Sequence, residues 1–288
     1  TFYLFDRSSN KATFLLKAYS RIDSSLLSQA EGFTIASRDG LTLHGYITSP
    51  SEDDKHLPLI VMPHGGPHAR DYWQYDPTVQ ALVAHGYAVL QVNFRGSTGF
   101  GEGFMEAGYG EWGRNTQHDI IDATRWAISE GIADPQRVAI FGASFGGYSA
   151  LQAPIVAPGL FKAAIGYVGV YDLFMLYNTG DIETRRWGSS YLDKTLGSDQ
   201  EQLKKQSPAL NADKLDLPIF IVHGKDDYRA AYEHAEAMRD ALEEHGKPYE
   251  WLVKDNEEHG FYDEDNREEL LRKVISFLDN NLRIPSNS

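Results

Sequence analysis

The sequence predicts an α/β domain, a mostly parallel central sheet with helices on both faces, and three observations carry that prediction. Short apolar runs rich in β-branched and aromatic residues alternate with helical segments, the pattern of a sheet covered on two sides. With 288 residues and 42% hydrophobic content, the chain is long enough to bury a full core as one unit. A serine set between glycines, Gly142-Ala143-Ser144-Phe145-Gly146, follows one of the apolar runs directly.

Taken in order, residues 2–5 and 13–16 are short apolar strands around the polar turn at 7–11, a hairpin that alone would be marginal in water. Residues 17–31 read as a connector, and 32–288 as the main domain. Its sheet opens with a hairpin, strands 33–36 and 41–47 across Arg38-Asp39-Gly40. Strand 57–62 leads into Pro63-His64-Gly65-Gly66-Pro67, and a helical segment spans 120–130. The run Val138 to Phe141 enters the serine turn, after which an apolar helix occupies 148–156. An aromatic stretch at 169–194 contains Tyr171, Phe174, Tyr177, Trp187 and Tyr191. Strand 217–222, helix 231–244, strand 249–253 and helix 268–282 complete the alternation.

The serine turn is the first candidate for chemistry. A strand-to-helix bend sharp enough to raise a hydroxyl above the sheet is strained, and small residues two before and two after Ser144 leave room for it. A hydroxyl is a poor nucleophile at neutral pH, so it needs a base, a group orienting that base and donors for the developing oxyanion. In strand-turn-helix hydrolases the partners follow the serine, acid first and histidine second, on loops after later strands. Strand 217–222 ends in His223-Gly224-Lys225-Asp226-Asp227, and strand 249–253 is followed by Glu257-Glu258-His259-Gly260-Phe261. The order is therefore Ser144, Asp226 or Asp227, then His259. Upstream, the glycines after strand 57–62 let backbone approach a substrate carbonyl, so the amides of Gly66 and Phe145 are the expected oxyanion donors. Pro67 has no amide hydrogen. His64 and His223, beside glycines at strand ends, read as structural.

Composition narrows the class further. Lys and Arg number 27 against 41 Asp and Glu, a net charge of -14 with no basic stripe, which argues against nucleic acid or an anionic membrane as partner. No apolar run approaches the ~18 residues needed to span a bilayer. The chain has no cysteine, hence neither disulfides nor a thiolate metal site, and its ten histidines show no His-x-x-x-His spacing. No metal and no cofactor is implied.

Six motifs together resemble the catalytic domain of the prolyl oligopeptidase family of serine peptidases, most closely its acylaminoacyl-peptidase branch, across nearly all of residues 32–282. They are Arg38-Asp39-Gly40, His64-Gly65-Gly66-Pro67, the stretch from Asn93 to Gly101, the stretch from Gly142 to Tyr148, the stretch from His223 to Asp227, and His259-Gly260-Phe261. The resemblance implies an α/β-hydrolase fold and selects Asp227, fifth in a His-Gly-x-x-Asp pattern, over Asp226. It also implies a serine peptidase acting on short, including N-acylated, peptides. A carboxylesterase of the same fold and a non-catalytic interaction module are the alternatives.

The family's usual Val-Pro pair after the acid is replaced by Ala230-Ala231, which implies a less rigid loop around Asp227. His64 stands where prolyl oligopeptidase itself uses a tyrosine in its oxyanion hole, which disfavours prolyl specificity. In the family a β-propeller precedes the hydrolase. Residues 1–16, with no initiator Met, are accordingly expected to be a remnant propeller hairpin, open to self-association, with the native N-terminus absent. Of the residues between the serine turn and the acid strand, Tyr171, Tyr177, Trp187 and Arg185 are candidate substrate contacts. Arg95 is expected in a structural ion pair.

Overall fold

The apolar runs of the main domain form an eight-stranded sheet in a computed structural model that describes residues 2–17, 19, 22–51 and 54–282. Its strands are β3 (Ala30–Ala36), β4 (Thr42–Thr48), β5 (Leu57–Val61), β6 (Ala88–Asn93), β7 (Ala133–Ala143), β8 (Ala163–Tyr167), β9 (Ile219–Gly224) and β10 (Tyr249–Lys254). The N-terminal hairpin, β1 (Phe2–Asp6) and β2 (Lys11–Leu16), stands apart as a two-stranded sheet. In the large sheet the order is β10-β9-β8-β7-β5-β6-β4-β3. From β5 to β10 all neighbours are parallel, while β4 joins β6 and β3 joins β4 antiparallel. This is the α/β-hydrolase fold.

Nine helices punctuate the described chain: α1 (Pro77–Ala84), α2 (Glu102–Glu106), α3 (Asn115–Ser129), α4 (Phe145–Val156), α5 (Gly180–Glu183), α6 (Gly188–Thr195), α7 (Gln200–Lys205), α8 (Glu233–Glu244) and α9 (Glu264–Leu282). Side chains alternate across a strand, so each parallel strand feeds two cores. On β5, Leu59 and Val61 join the core shared with α3, α4 and α8, whereas Ile60 joins the one shared with α1 and α9. Val274, Phe277 and Leu278 of α9 are almost completely buried there, each contributing roughly 1.5–3 kcal/mol of hydrophobic stabilisation.

Strand order fixes where a ligand can bind. The chain leaves β5 for β6 on one side and then crosses to β7 on the other, so the loops after β5 and β7 diverge. In open parallel sheets such a switch point, at the carboxyl ends of the strands, is where ligands bind. Here those loops are Pro63–Pro67 and the Ser144 turn.

Several boundaries differ from the sequence reading. The sheet begins at Ala30, because Ala30 and Glu31 already pair with Thr48 and Ile47, so the connector is two residues shorter than expected. Helix α9 starts at Glu264 instead of residue 268, since the Asp263 carboxylate accepts from the amides of Asp265 and Asn266 at 3.0 and 3.1 Å and caps it. Strands β6 and β8 and helix α1 were not singled out by the sequence patterns. Residues 18, 20, 21, 52, 53 and 283–288, parts of the expected connector and main domain, lie outside the described residues.

Arg95 makes the ion pair expected of it. Its guanidinium reaches Asp119 and Asp39, both at 2.8 Å, tying the loop after β6 to α3 and to the β3–β4 turn. Asp119 is fully buried, so removing Arg95 would strand a buried carboxylate.

Candidate active site

Ser144 sits between β7 and α4 with φ 58° and ψ -120°, a conformation that L-residues rarely hold. Three glycines make it possible. A Cβ on Gly142 would stand 2.3 Å from Gly146 O, one on Gly146 2.1 Å from Pro63 O, and one on Gly147 2.7 Å from Tyr167 O. The Ser144 amide donates to Tyr167 O at 2.9 Å, securing the turn to the end of β8. Val168, next in the chain, is itself at φ 44°, so two strained residues meet at this seam.

The acid and the histidine lie together. His259 Nδ1 contacts Asp227 Oδ2 at 2.8 Å and Oδ1 at 3.0 Å, and since a carboxylate only accepts, Nδ1 carries the proton. Asp227 is buried, which by itself would raise its carboxyl, but hydrogen bonds from His223 and His259 outweigh burial and hold it well below the usual carboxylate range. Oδ1 also accepts from the amides of Arg229 at 2.8 Å and Ala230 at 2.9 Å, while the Ala230 carbonyl contacts His223 Nε2 at 2.7 Å. The Ala230-Ala231 loop, expected to be less rigid than a Val-Pro loop, is thus fastened by three polar contacts. Asp226 contributes its amide to Glu257 O at 3.0 Å and leaves its side chain exposed.

Glu257 was not picked out from the sequence, yet it shapes the His259 loop. It is 2% exposed, and its carboxylate accepts from the amides of Tyr262 at 2.6 Å and Asp263 at 3.1 Å and from Asn266 Nδ2 at 2.7 Å. Tyr167 joins this loop to the serine turn, its carbonyl taking the Ser144 amide and its hydroxyl the Phe261 amide. Among the described residues no hydrogen bond joins Ser144 Oγ to His259, whose ring bonds run through Nδ1. Such contacts are commonly longer before substrate tightens them.

The glycine loop closes the other side. An added Cβ on Gly65 would lie 3.4 Å from Ser144 Cβ, so the two backbones are in near contact. Gly66 is exposed at φ 126°, and among the described residues neither its amide nor that of Phe145 donates a hydrogen bond within the protein. His64 Nδ1 contacts Gly65 O at 2.7 Å and Nε2 contacts Ser97 Oγ at 2.8 Å. Burial lowers the His64 ring to about 4.

Of the expected substrate contacts, Tyr171 must be corrected. It is fully buried, its ring fills the space beside Gly166 and Gly169, and it belongs to the core. Tyr177 is part-buried and donates its hydroxyl to Gly197 O at 2.9 Å. Arg185 pairs with Asp181 at 3.0 Å and lies over Trp187. Trp187, 53% exposed, meets Tyr191 edge-on, and Tyr191 in turn meets His68, two residues beyond Gly66. None of the four lines the cavity of about 680 Å³ that opens between α1 and α9 and is walled by His64, Gly65, Ala143, Tyr167 and Phe261.

A strained serine at a strand-helix turn, a carboxylate-held imidazole and two unpaired amides form a set able to perform acyl transfer. Comparison with known proteins places the chain: a family model described as the prolyl oligopeptidase family matches residues 73–284. The chain belongs to that family. Dipeptidyl aminopeptidase BIII of Pseudoxanthomonas mexicana is 34% identical over 292 residues, covering 96% of this chain and 42% of that protein. The acylamino-acid-releasing enzyme of Arabidopsis thaliana is 30% identical over 222 residues, or 74% of this chain and 29% of that enzyme. Among solved structures, the acylaminoacyl peptidase of Pyrococcus horikoshii superposes with a TM-score of 0.88 at 25% identity, over 99% of this chain and 47% of that one. The chain thus spans less than half the length of these prolyl oligopeptidase relatives. No helix among its described residues is long and apolar enough to cross a membrane.

Proposed function

We propose that this chain is the catalytic unit of a serine peptidase that hydrolyses short peptides, N-acylated ones included, through an acyl-enzyme on Ser144. The observation that carries the reading is the Asp227–His259 pair, held by its loop beside the strained serine turn. His259 Nε2 takes the proton as Ser144 Oγ attacks the carbonyl carbon. The amides of Gly66 and Phe145 receive the developing oxyanion. When the tetrahedral species collapses, the C–N bond breaks and the leaving amine takes the proton from His259. Water, activated by the same imidazole, then hydrolyses the ester and restores Ser144. Trp187, exposed and linked through Tyr191 and His68 to the glycine loop, is the expected substrate contact, with Arg185 lying over its ring.

A fluorophosphonate probe tests the reading. The native chain is expected to label at Ser144, and Ser144→Ala to lose both the label and hydrolysis of acylaminoacyl and dipeptidyl anilides while keeping its melting temperature. Label on another residue, or activity surviving in the variant, would overturn it.

In the same reading the N-terminal hairpin belongs to a β-propeller blade of a longer protein. Supporting this, among the described residues β1 and β2 pair only with each other, and every residue in them is exposed, including Phe2, Leu4, Phe14 and Leu16. Such an edge can template pairing with a second copy. Sedimentation should therefore show concentration-dependent association that a chain starting at residue 17 loses. Identical sedimentation of the two would remove the argument for an exposed pairing edge.

A further inference from the structure

The cavity between α1 and α9 borders each member of the catalytic set. Gly65 precedes Gly66, Ala143 precedes Ser144, Phe261 lies just past His259, and all three stand in its wall. A Cβ on Gly65 would lie 4.0 Å from Ser144 Oγ, so at this point a glycine backbone stands between the cavity and the nucleophile. Direction matters, because His259 returns its proton to the leaving amine, and the leaving half of a peptide must therefore lie on the His259 side of Ser144. Phe261 belongs to the His259 loop, and Tyr167, whose hydroxyl takes the Phe261 amide, stands in the same wall. Trp187 and Tyr191, which reach the glycine loop through His68, do not line this cavity.

Its volume of about 680 Å³ is that of a ligand pocket, and its lining says which ligand. Met62, Phe141, Leu270 and Leu271 offer an apolar surface to an alkyl stem. The charged lining is one-sided: Asp71, Asp76, Glu264 and Glu268 face a single cationic residue among those described, Arg267. Asp71 is the most demanding of the acids. Its Oδ1 accepts from Gln91 Nε2 at 2.9 Å, while Oδ2 is shielded from solvent and has no hydrogen-bond partner. Burial, with Asp76 nearby, raises this carboxyl to about 7, so a cation beside it would relieve a strained charge. We infer that the cavity is a leaving-side subsite for a basic residue: the stem of a lysine or arginine at the start of the leaving half lies on the apolar surface, and its cationic head reaches Asp71. The inference rests on the peptidase reading of Ser144 given above.

Internally quenched peptides that share one acyl half and begin the leaving half with lysine, norleucine or glutamate test it. For the native chain kcat/KM should fall about tenfold from lysine to norleucine, and further to glutamate. Asp71→Asn keeps the shape and an oxygen for Gln91 Nε2 but removes the charge, and it should shrink the lysine-to-norleucine ratio to within about twofold. A general loss of activity cancels in that ratio, so a purely structural role for Asp71 would leave it unmoved. Equal rates for lysine and norleucine in the native chain, or a ratio that survives Asp71→Asn, would overturn the inference. Should Asp71→Asn fail to fold, the double variant Glu264→Gln/Glu268→Gln, altered at exposed positions, takes its place; a ratio reduced about twofold is expected, and an unchanged one would overturn the inference. Binding without chemistry separates the subsite from the reading beneath it. In ligand-observed NMR, hexylammonium chloride should bind the native chain and Ser144→Ala alike, about tenfold more tightly than hexanol. If Ser144 is not the nucleophile, that preference persists while activity survives Ser144→Ala; if the preference is absent from an active chain, the subsite alone fails.

Discussion

His259 and His64 stand at the same end of the sheet, each with Nδ1 committed to an oxygen, and the nature of that oxygen separates their work. His259 gives its proton to a carboxylate at 2.8 Å and keeps 22% of its side chain exposed. A carboxylate stabilises the imidazolium that forms when the ring takes a second proton, so this histidine can act as a base. His64 gives its proton to a carbonyl at 2.7 Å, inside a wall of aromatic and glycine residues. A neutral carbonyl offers little to an imidazolium, burial opposes the charge, and the ring is pushed down to about 4. In the proposed reading, two histidines of equal chemistry thus become a proton carrier and a fixed strut.

The comparison breaks most severely at Asp227. Replacing it by Asn keeps the shape and an oxygen for the Arg229 and Ala230 amides, but it turns an NH₂ toward His259 Nδ1. The ring must then carry its proton on Nε2, facing Ser144, where it cannot act as a base. Turnover should fall by on the order of 10⁴-fold. Asp226→Asn, at the exposed neighbour, should leave kcat/KM within about twofold. A large loss from Asp226→Asn with none from Asp227→Asn would reverse the assignment of the two.

On the strut side the loss should be smaller. Gly66→Ala puts a Cβ at φ 126° only 2.7 Å from His68 N, so the loop must shift and carry its amide away from Ser144. Loss of one oxyanion donor costs roughly 10²- to 10³-fold in kcat, and the variant should lie near the lower end because Phe145 N–H remains. Unchanged kcat in a folded variant would exclude the Gly66 amide as a donor.

The two loops were not equally legible in the sequence. Ser144, His259 and a nearby aspartate follow from their places after three apolar strands, because catalytic order along the chain is a property of topology. Choosing Asp227 over Asp226 took the family's five-residue pattern; of the two, it is Asp227 that turns inward to the Arg229 and Ala230 amides. Glu257 escaped notice because a glutamate among acidic neighbours reads as a solvated loop. Its signal was Asp263 followed by Glu264 and Asp265, a helix start four residues earlier than periodicity suggested, which brings Asn266 within reach of a buried carboxylate. Tyr171 failed in the opposite sense. An aromatic residue in the stretch expected to shape the pocket reveals nothing about depth, and the glycines that make room for its ring, Gly166 and Gly169, lie up to five residues away.

The smallest expected effect is on stability in acid, and it sharpens the comparison without touching catalysis. In the unfolded chain the His64 ring takes its proton near its ordinary value of 6.5, but in the fold only near about 4. Between those limits the unfolded state holds more protons, so acidification favours unfolding. His234 acts in the same direction: burial lowers it to about 3, and its Nδ1 already accepts from the Tyr171 amide at 3.2 Å. Asp71 opposes them, since burial raises its carboxyl to about 7 and the fold then binds the proton more tightly than the unfolded chain. Asp227, depressed, contributes its stability above the unfolded carboxylate value and loses it only at lower pH than the histidine window. Comparing the native chain with His64→Asn cancels every term but one. As the pH falls from 6.5 toward 4.5, urea unfolding should show the native chain losing stability relative to the variant by roughly 1 kcal/mol per pH unit. Parallel curves would mean that the folded ring accepts a proton as readily as the unfolded one, and the distinction between carrier and strut would fail.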